Sequence, residues 1–305
     1  MALRRNDKSI GVRRLGFGVS GPHGTPLMAP SQTHHMIDFA FESGVRLFDT
    51  APMYGNGEAE RRLGEALRRL PRYECIVSTK AGVTSSGLTG RTRDFSPDAI
   101  KRSVEASLKR LRVTYIDWLL LHGPAPHELT DELLKTLVDL KYSGLITSLG
   151  VAGRGPELDA ALSTGQFSVY MAPVHAALPQ DALERLNRIK SSGSELVGIE
   201  VMSPAHRRFP APISMGATWR LARALLGKGK PAPPTPMTPE ECLWWALYEA
   251  VAHRVVMTTT SMDHLRGNVG IVEQRTASGL IGSSTGHSSG GSTSGRSRVG
   301  QPLET

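Results

Sequence analysis

Eight short apolar segments, separated by stretches with helical patterning, constrain the fold of this 305-residue chain more than any other feature. Short apolar runs that alternate with amphipathic helices are typical of βαβ units and a parallel sheet. Eight such units close most readily into a barrel, and a chain of this length can form one as a single domain. We therefore predict an α/β fold, a (β/α)8 TIM barrel. The predicted strands are RLGFGV (14–19), VRLFDT (45–50), ECIVSTK (74–80), IDWLLLH (116–122), ITSLGV (146–151), FSVYMAPV (167–174), LVGIEVM (196–202) and RVVMTT (254–259).

Helix start signals support the helical stretches between these strands. Ser96 and Thr238 each precede a proline, which places a capping hydroxyl directly before a residue that is favoured at the first helical position. Glu241 stands three residues after Thr238 and completes a capping box. A further helix is predicted to begin at Ser31 and to stop at Gly44.

Two segments depart from the alternating pattern. Residues 203–237 form a proline-containing insertion after the seventh strand, a position that overlooks the active face of a barrel. From about Thr276 onward the Gly/Ser bias leaves too little apolar surface to offset the entropy of ordering. We therefore predict a barrel domain over 1–275 and a disordered tail over 276–305.

Charge and cysteine content narrow the classes of function. The net charge of +8 comes from Lys and Arg scattered beside Glu, and no basic motif with interleaved aromatics occurs, so we predict no nucleic-acid partner. Two cysteines provide no disulfide framework, and the start MALRRNDKSIG lacks the apolar stretch of a secretory signal. No apolar run reaches the ~18 residues of a spanning helix. These features predict a cytoplasmic protein with no membrane contact, and the histidine spacing predicts no metal site.

Four ionisable side chains stand at or just after the ends of predicted strands. Asp49 and Tyr54 lie in FDTAPMYGNGEAE (48–60), Lys80 lies in IVSTKAG, and His122 ends LLLH. A phenol ordinarily loses its proton near pH ~10, so a tyrosine that donates a proton near neutrality needs a nearby cation. Lys80 can be that cation and Asp49 its counter-charge, while His122 would orient a substrate oxygen. Taken singly, Asp49 could instead be a helix cap, Tyr54 a loop aromatic and His122 a core histidine.

These motifs, in this order, resemble the aldo-keto reductase superfamily from about residue 12 to residue 274, within its aldose and L-sugar dehydrogenase-like subgroup. The LG at 63–64 and the STK and LLLH runs add to the resemblance. It implies that Asp49, Tyr54, Lys80 and His122 are the catalytic tetrad of a nicotinamide-dependent oxidoreductase. Such an enzyme interconverts an aldehyde, ketone or aldose with an alcohol by hydride transfer, with Tyr54 as general acid and base.

The same resemblance implies a cofactor site near the eighth strand. TTTSMDHLRGN (258–268) is similar to the family segment that holds the adenosine end of NADPH, and it leads into a helix start that suits an anion. His264, with Arg266 after it, stands where much of the family has a basic residue for the 2′-phosphate, and we expect NADP(H) in preference to NAD(H). The residues implied to contact the cofactor are Gly18, Asp49, Gly153, Met202, Ser203, Thr259, Thr260, Ser261, His264 and Asn268.

The nicotinamide end departs from the family pattern. Ala152 and Gly153 stand in place of a Ser-Asn pair, Met171 in place of a glutamine, and Met202 in place of the tyrosine that stacks on the ring. Methionine can still cover an apolar ring face. We expect hydride transfer to persist with a carboxamide that is held less rigidly.

Three functions remain open from the sequence. The first is an oxidoreductase for a small carbonyl or sugar substrate, expected as a monomer or weak homo-oligomer. The second is a regulatory protein that binds cofactor and acts through partners, and the third is an enzyme that uses the Tyr/Lys pair for non-redox proton transfer. Arginines on predicted loops of the active face either favour an anionic substrate or are solvated surface charge. They are Arg91, Arg93, Arg154, Arg207 and Arg208.

Overall fold

The computed structural model describes residues 11–86, 90–205, 237–250 and 252–282. Its strands are β1 (Leu15–Gly18), β2 (Leu47–Asp49), β3 (Ile76–Ala81), β4 (Val83–Ser86), β5 (Gly90–Arg93), β6 (Ile116–His122), β7 (Ile146–Ala152), β8 (Val169–Pro173), β9 (Glu195–Ile199) and β10 (Arg254–Met257). Except for β4 and β5, they form a closed parallel barrel in chain order, in which β10 pairs back onto β1. The predicted (β/α)8 barrel is therefore confirmed, with a strand at each of the eight predicted segments.

Helices surround the barrel, and their starts follow the capping signals of the sequence. The Ser96 hydroxyl accepts a hydrogen bond from the backbone N–H three residues further on. Thr238 and Glu241 form the reciprocal capping box that their spacing predicts. The helices are α1 (Pro30–Glu42), α2 (Glu58–Leu67), α3 (Pro97–Leu111), α4 (Asp131–Tyr142), α5 (Pro156–Thr164), α6 (Gln180–Ser191), α7 (Pro239–Trp244) and α8 (Met262–Gly282).

Side chains on each strand alternate between two apolar layers. On β6, Trp118 and Leu120 belong to the cluster inside the barrel, whereas Leu119 and Leu121 belong to the cluster that includes the surrounding helices. The interior cluster consists of Leu47, Trp118, Leu120, Ala152, Val169, Met171, Val197 and Val256. This alternation decides which residues at the strand ends face the barrel mouth.

An antiparallel hairpin of β4 and β5 directly follows β3 and is separate from the barrel sheet. The sequence interpretation placed Arg91 and Arg93 on a loop, which is wrong, because both lie on β5. The segments VTSS and GRTR are almost entirely polar, so they carry no apolar alternation from which strands could be predicted.

The last helix extends beyond the predicted domain boundary at residue 275. Helix α8 continues to Gly282, so residues 276–282, which were predicted to begin the disordered tail, are helical. Ala277 and Leu280 are helix formers within this segment. Residues 283–305 and most of the predicted insertion, including Arg207 and Arg208, lie outside the described residues. Within the described ranges, no helix is long and apolar enough to cross a membrane.

Candidate active site

Three of the four predicted catalytic side chains reach the barrel mouth because of strand alternation. Leu47 and Leu120 belong to the interior cluster, and Asp49 and His122 follow them by two residues on the same strands. Lys80 has the same interior alternation on β3. The carboxyl ends of these parallel strands meet at one end of the barrel, which is where active sites of this fold lie.

Asp49 and Lys80 form a buried ion pair. The Lys80 Nζ donates to Asp49 Oδ1 at 2.9 Å, to Asp49 Oδ2 at 2.7 Å and to the Thr50 carbonyl at 2.9 Å. The Ser78 hydroxyl donates to Asp49 Oδ1 at 2.8 Å. Burial by itself lowers the pKa of Lys80, but the Asp49 charge and the Tyr54 hydroxyl outweigh it, so that the pKa is raised above its ordinary value. Lys80 therefore stays protonated and carries a positive charge inside the site.

Tyr54 lies beside this charge, on the turn after β2. The Lys80 Nζ is 5.4 Å from the centre of the Tyr54 ring, and a hydrogen bond with the Tyr54 hydroxyl contributes to the raised pKa of Lys80. Gly55 has φ of +62°, and a Cβ on this residue would lie 1.7 Å from the Gly24 carbonyl oxygen. The close approach of these two loops therefore depends on a glycine directly after the tyrosine.

His122 completes the cluster as a neutral imidazole. Its ring lies edge to face with Tyr54, with 6.4 Å between ring centres. Burial, followed by the charges of Lys80, Arg91, Arg154 and Arg93, lowers the pKa of His122 to about 3. Its buried Nδ1 has no hydrogen-bond partner among the described residues. An uncharged ring of this kind can orient a substrate oxygen through a hydrogen bond.

The loop after β10, which contains the predicted phosphate contacts, packs closely against the end of β1. A Cβ on Gly18 would lie 2.4 Å from Thr258 Oγ1, and the hydroxyls of Ser20 and Thr258 are 3.1 Å apart. Gly18 therefore allows this loop to reach the barrel mouth beside Asp49, with which Gly18 pairs in register.

Ser261 caps the N-terminus of α8 within this loop. Its hydroxyl accepts from the His264 N–H at 3.3 Å, and its own N–H donates to Thr259 Oγ1 at 3.2 Å. Thr260 and Asn268 are half-buried in the same loop and helix. The N-terminus of a long helix, flanked by hydroxyl groups, suits a phosphate chemically. The donor set therefore fits the diphosphate end of a dinucleotide.

His264 and Arg266 are exposed on the first turns of α8. The Arg266 guanidinium lies 3.4 Å from Asp263 Oδ1 and 5.6 Å from the centre of the Phe39 ring. Its contact with Asp263 is long and exposed, so the arginine can turn toward a phosphate at low cost.

The predicted nicotinamide end combines backbone groups and two methionines with the Glu157 carboxylate and Ser203. The Gly153 N–H donates to the Met171 carbonyl at 2.9 Å, and a Cβ on residue 153 would lie 2.5 Å from Glu157 Oε1. Met171 is buried in the interior cluster, and Met202 is half-buried against the outer one. Ser203 begins a short 3-10 turn. Glu157 thus fills the space in which the family asparagine would place its side chain.

A cavity of about 370 Å³ opens between the segments that follow β7, β8 and β9. Among its lining residues are Arg154, Pro173, His175, Arg185 and Glu200. Arg154 pairs with Glu200 across it. None of the four predicted catalytic side chains lines this cavity, which reaches the segment after β7 at Arg154, next to Gly153 in sequence.

His23 holds the loop after β10 in place, and the sequence did not predict this contact. Its Nε2 lies 2.9 Å from the Thr259 carbonyl, and its Nδ1 lies 3.2 Å from Thr33 Oγ1. The first contact makes Nε2 the donor and leaves Nδ1 to accept from the threonine hydroxyl. The available signal was a histidine within GPHG, directly after β1 at the active face.

Glu60, at the end of the FDTAPMYGNGEAE motif, has a structural position. It is fully buried and accepts from the Thr79 hydroxyl at 2.7 Å and from Arg110 Nε at 2.5 Å. These contacts fix α2 against β3 directly before Lys80. The motif therefore contains Asp49 and Tyr54 of the cluster, and it also contains Glu60, which supports the strand that carries Lys80.

The comparisons with known proteins agree with the sequence resemblance. A sequence model of the Aldo/keto reductase family matches residues 14–172. The chain belongs to the aldo/keto reductase family. A probable aldo-keto reductase 1 from Glycine max is 37% identical over 143 residues, which cover 44% of this chain and 41% of that protein. An L-galactose dehydrogenase from Arabidopsis thaliana is 30% identical over 205 residues, covering 63% of this chain and 61% of that protein.

The structure of this family member also resembles solved aldo-keto reductases. The holo form of one from Bacillus halodurans has a TM-score of 0.69 at 26% identity, covering 88% of this chain and 91% of that one. In sequence, the chain matches about half the length of its curated relatives. The family of the chain is thus established.

Proposed function

We propose that this aldo/keto reductase family member is an oxidoreductase that interconverts a carbonyl group and an alcohol, with a nicotinamide dinucleotide as hydride carrier. The observation that carries the proposal is the buried Asp49–Lys80 ion pair next to Tyr54 and the neutral His122 at the barrel mouth. Such an arrangement supplies a proton donor, a charge that favours its anionic form, and a hydrogen-bonding ring.

Each residue has a distinct part in the proposed reaction. The Tyr54 hydroxyl holds the proton that moves to the substrate oxygen during reduction and takes it back during oxidation. The Lys80 charge stabilises the phenolate, and Asp49 keeps Lys80 protonated despite its burial. His122 orients the substrate oxygen through its uncharged ring. The dinucleotide, when bound, supplies the carbon that gives or accepts the hydride.

We propose NADP(H) as the preferred dinucleotide. The hydroxyl loop Thr259–Ser261 and the α8 N-terminus would hold the diphosphate, with Gly18 allowing that loop to lie at the mouth. His264 and Arg266 on the exposed face of α8 would hold the 2′-phosphate. Asn268 would contact the adenine, and Gly153, Met202 and Ser203 would line the nicotinamide end with Asp49.

A small aldehyde or aldose is the proposed substrate class. The support is the similarity to a protein named L-galactose dehydrogenase, together with the sequence resemblance to sugar dehydrogenases. The cavity between the segments after β7, β8 and β9, which is lined by several polar side chains, is large enough for a compact polar substrate.

The experiment that tests the function has two stages. NADPH and NADH affinities are first measured by quenching of protein fluorescence, and we expect tighter binding of NADPH. Turnover is then followed by the absorbance of the reduced nicotinamide with a panel of aldehydes and aldoses, in both directions. Equal or tighter binding of NADH contradicts the cofactor preference, and absence of turnover across the panel contradicts the activity.

A second candidate is favoured by the altered nicotinamide end. Glu157 occupies the space of the family asparagine, and apolar Met171 replaces the glutamine, so a carboxamide finds few polar partners here. A regulatory protein that binds the dinucleotide without turning over substrate would tolerate both changes. Tight cofactor binding without turnover favours this candidate. Conversion of a substrate with no change in the cofactor would favour non-redox proton transfer.

A further inference from the structure

The β4–β5 hairpin connects the two loops that carry the proposed reactive groups. The Ser85 hydroxyl donates to the Met53 carbonyl at 2.8 Å, directly before Tyr54. Arg93 Nη2 donates to the Gly123 carbonyl at 3.0 Å, directly after His122. The hairpin therefore forms a wall beside the space between these two rings.

Strand register places Arg91 on the face of the hairpin that meets the site. Ser85 is directly opposite Arg91 in the antiparallel pair, and Arg93 follows Arg91 by two residues. Residues directly opposite each other, and residues two apart on one strand, have their side chains on the same face. Since Ser85 and Arg93 both reach the loops of the site, Arg91 shares their face.

The arginines around His122 differ in how far their charges are compensated. Arg93 Nη2 lies 2.6 Å from Glu128 Oε2, and Arg154 is paired with Glu200. The Arg91 side chain is exposed and makes no hydrogen bond or ion pair with any residue that the structure describes. Its charge nevertheless contributes to the lowered pKa of His122. Among the described residues, Arg91 is thus a cation without a counter-charge close to the place where the substrate oxygen would lie.

We propose that Arg91 is a specificity-determining residue that pairs with a carboxylate on the substrate, so that carbonyl compounds bearing a carboxylate are the preferred substrates. This inference rests on the proposed function, because it assumes that a carbonyl binds between Tyr54 and His122. A guanidinium matches a carboxylate with two parallel hydrogen bonds, which a neutral substrate cannot provide. The exposed charge of Arg91 also attracts anions from solution.

The test compares an acid with its neutral ester. The full-length chain is assayed with 4-carboxybenzaldehyde and with methyl 4-formylbenzoate, and the ratio of their kcat/KM values is measured. We expect the ratio to favour the acid and to fall about 10- to 100-fold in Arg91→Gln, the range of one charged hydrogen-bonding contact. The fall should appear mainly in KM of the acid. Arg91→Lys should keep part of the preference because it keeps the charge.

Arg13→Gln is the matched control, since Arg13 is an exposed arginine two residues before β1, at the opposite end of the barrel. We expect it to leave the ratio within about twofold, because its distance from the mouth exceeds the screening length in physiological salt. Equal thermal unfolding midpoints of the variants would exclude a folding defect. An acid-to-ester ratio that is unchanged in Arg91→Gln overturns the proposal, and so does a wild-type chain without preference for the acid.

A failure of the proposed function gives a different result. If the wild-type chain reduces neither aldehyde with either dinucleotide, the proposed activity fails, and binding of 4-(hydroxymethyl)benzoate is measured by calorimetry. Binding that is lost in Arg91→Gln and kept in Arg13→Gln would still support anion recognition by Arg91. Absence of binding, or binding that is equal in both variants, overturns it.

Discussion

At the scale of single residues, the site depends on one buried ion pair beside one phenol. Lys80 is only 2% exposed, and Asp49 and the Thr50 carbonyl accept its hydrogen bonds. A lysine at this depth keeps its proton only because the carboxylate is in contact with it. The reactivity proposed for Tyr54 therefore depends on two neighbours on two different strands.

Tyr54→Phe should separate binding from chemistry. The substitution removes the hydroxyl that donates the proton and keeps the ring that lies against His122. We expect NADPH affinity to stay within about threefold and kcat to fall by ~10²–10⁴, the usual contribution of a general acid. Stopped-flow or steady-state absorbance on the best panel substrate measures the rate. Wild-type turnover in this variant would refute the role of Tyr54.

Lys80→Met should lower both stability and activity, for different reasons. The variant leaves the Asp49 carboxylate buried without its partner, which typically costs ~3–5 kcal/mol of the free energy of unfolding. Activity falls because the phenolate loses its stabilising charge.

The double variant Asp49→Asn/Lys80→Met separates the two effects of the lysine. It removes both charges, so we expect recovery of most of the stability, measured by urea unfolding, without recovery of turnover. Activity that returns together with stability would show that Lys80 has only a structural part.

At the scale of elements, the loops at the barrel mouth are shaped by backbone contacts between segments that are distant in sequence. The turn after β2 touches the loop after β1 through Gly55 and Gly24. The hairpin holds the turn after β2 and the loop after β6 through Ser85 and Arg93. Small changes in these loops should therefore displace Tyr54 without altering the strands.

Gly55→Ala tests this dependence against a matched glycine. Gly55 and Gly144 both have positive φ, +62° and +76°, but only at Gly55 would a Cβ collide with another backbone. We expect Gly144→Ala to cost ~1 kcal/mol for the conformation alone, and Gly55→Ala to cost more and to lower kcat at least tenfold. Urea unfolding and initial rates measure both. Equal effects of the two substitutions would contradict the importance of this contact for the site.

At the scale of the whole molecule, the barrel joins its first and last strands next to the loop after β10. His23 makes this connection from the loop after β1, and its contact with the Thr259 carbonyl spans 236 residues of sequence. Burial, opposed by the Thr259 hydrogen bond and assisted by the Arg62 charge, lowers the pKa of His23 from 6.5 to about 4. The free energy of unfolding of the closed barrel should therefore depend on pH.

We keep as a proposal that residues 1–275 form one domain, with the end of α8 extending it to Gly282.

Stability should decrease as the pH falls from about 6.5 to about 4. Between these values the unfolded state binds a proton at His23 that the folded state excludes, so the free energy of unfolding falls with decreasing pH. In His23→Gln, the loss between pH 7 and pH 4.5 should be smaller than in the wild type by ~2–3 kcal/mol. Urea unfolding at both pH values measures it.

His35→Gln is the control for this pH dependence, because His35 is exposed. This variant should lose as much stability on acidification as the wild type does. The same loss in His23→Gln as in His35→Gln would contradict the assignment to His23. His122, with its pKa lowered to about 3, adds the same kind of dependence in all three proteins and does not affect the comparison.

Local patterns were sufficient to predict the eight barrel strands, the Ser96 and Thr238 caps, and the four side chains that lie together at the barrel mouth. Apolar periodicity, capping chemistry and strand ends are short-range properties, and each is visible within a few residues of sequence. Other features exist only because distant segments meet: the His23–Thr259 contact, the Gly55–Gly24 contact, and the contacts of the hairpin with the loops after β2 and β6. Their partners are set by barrel closure and loop packing, which polar segments such as VTSS and GRTR do not encode locally.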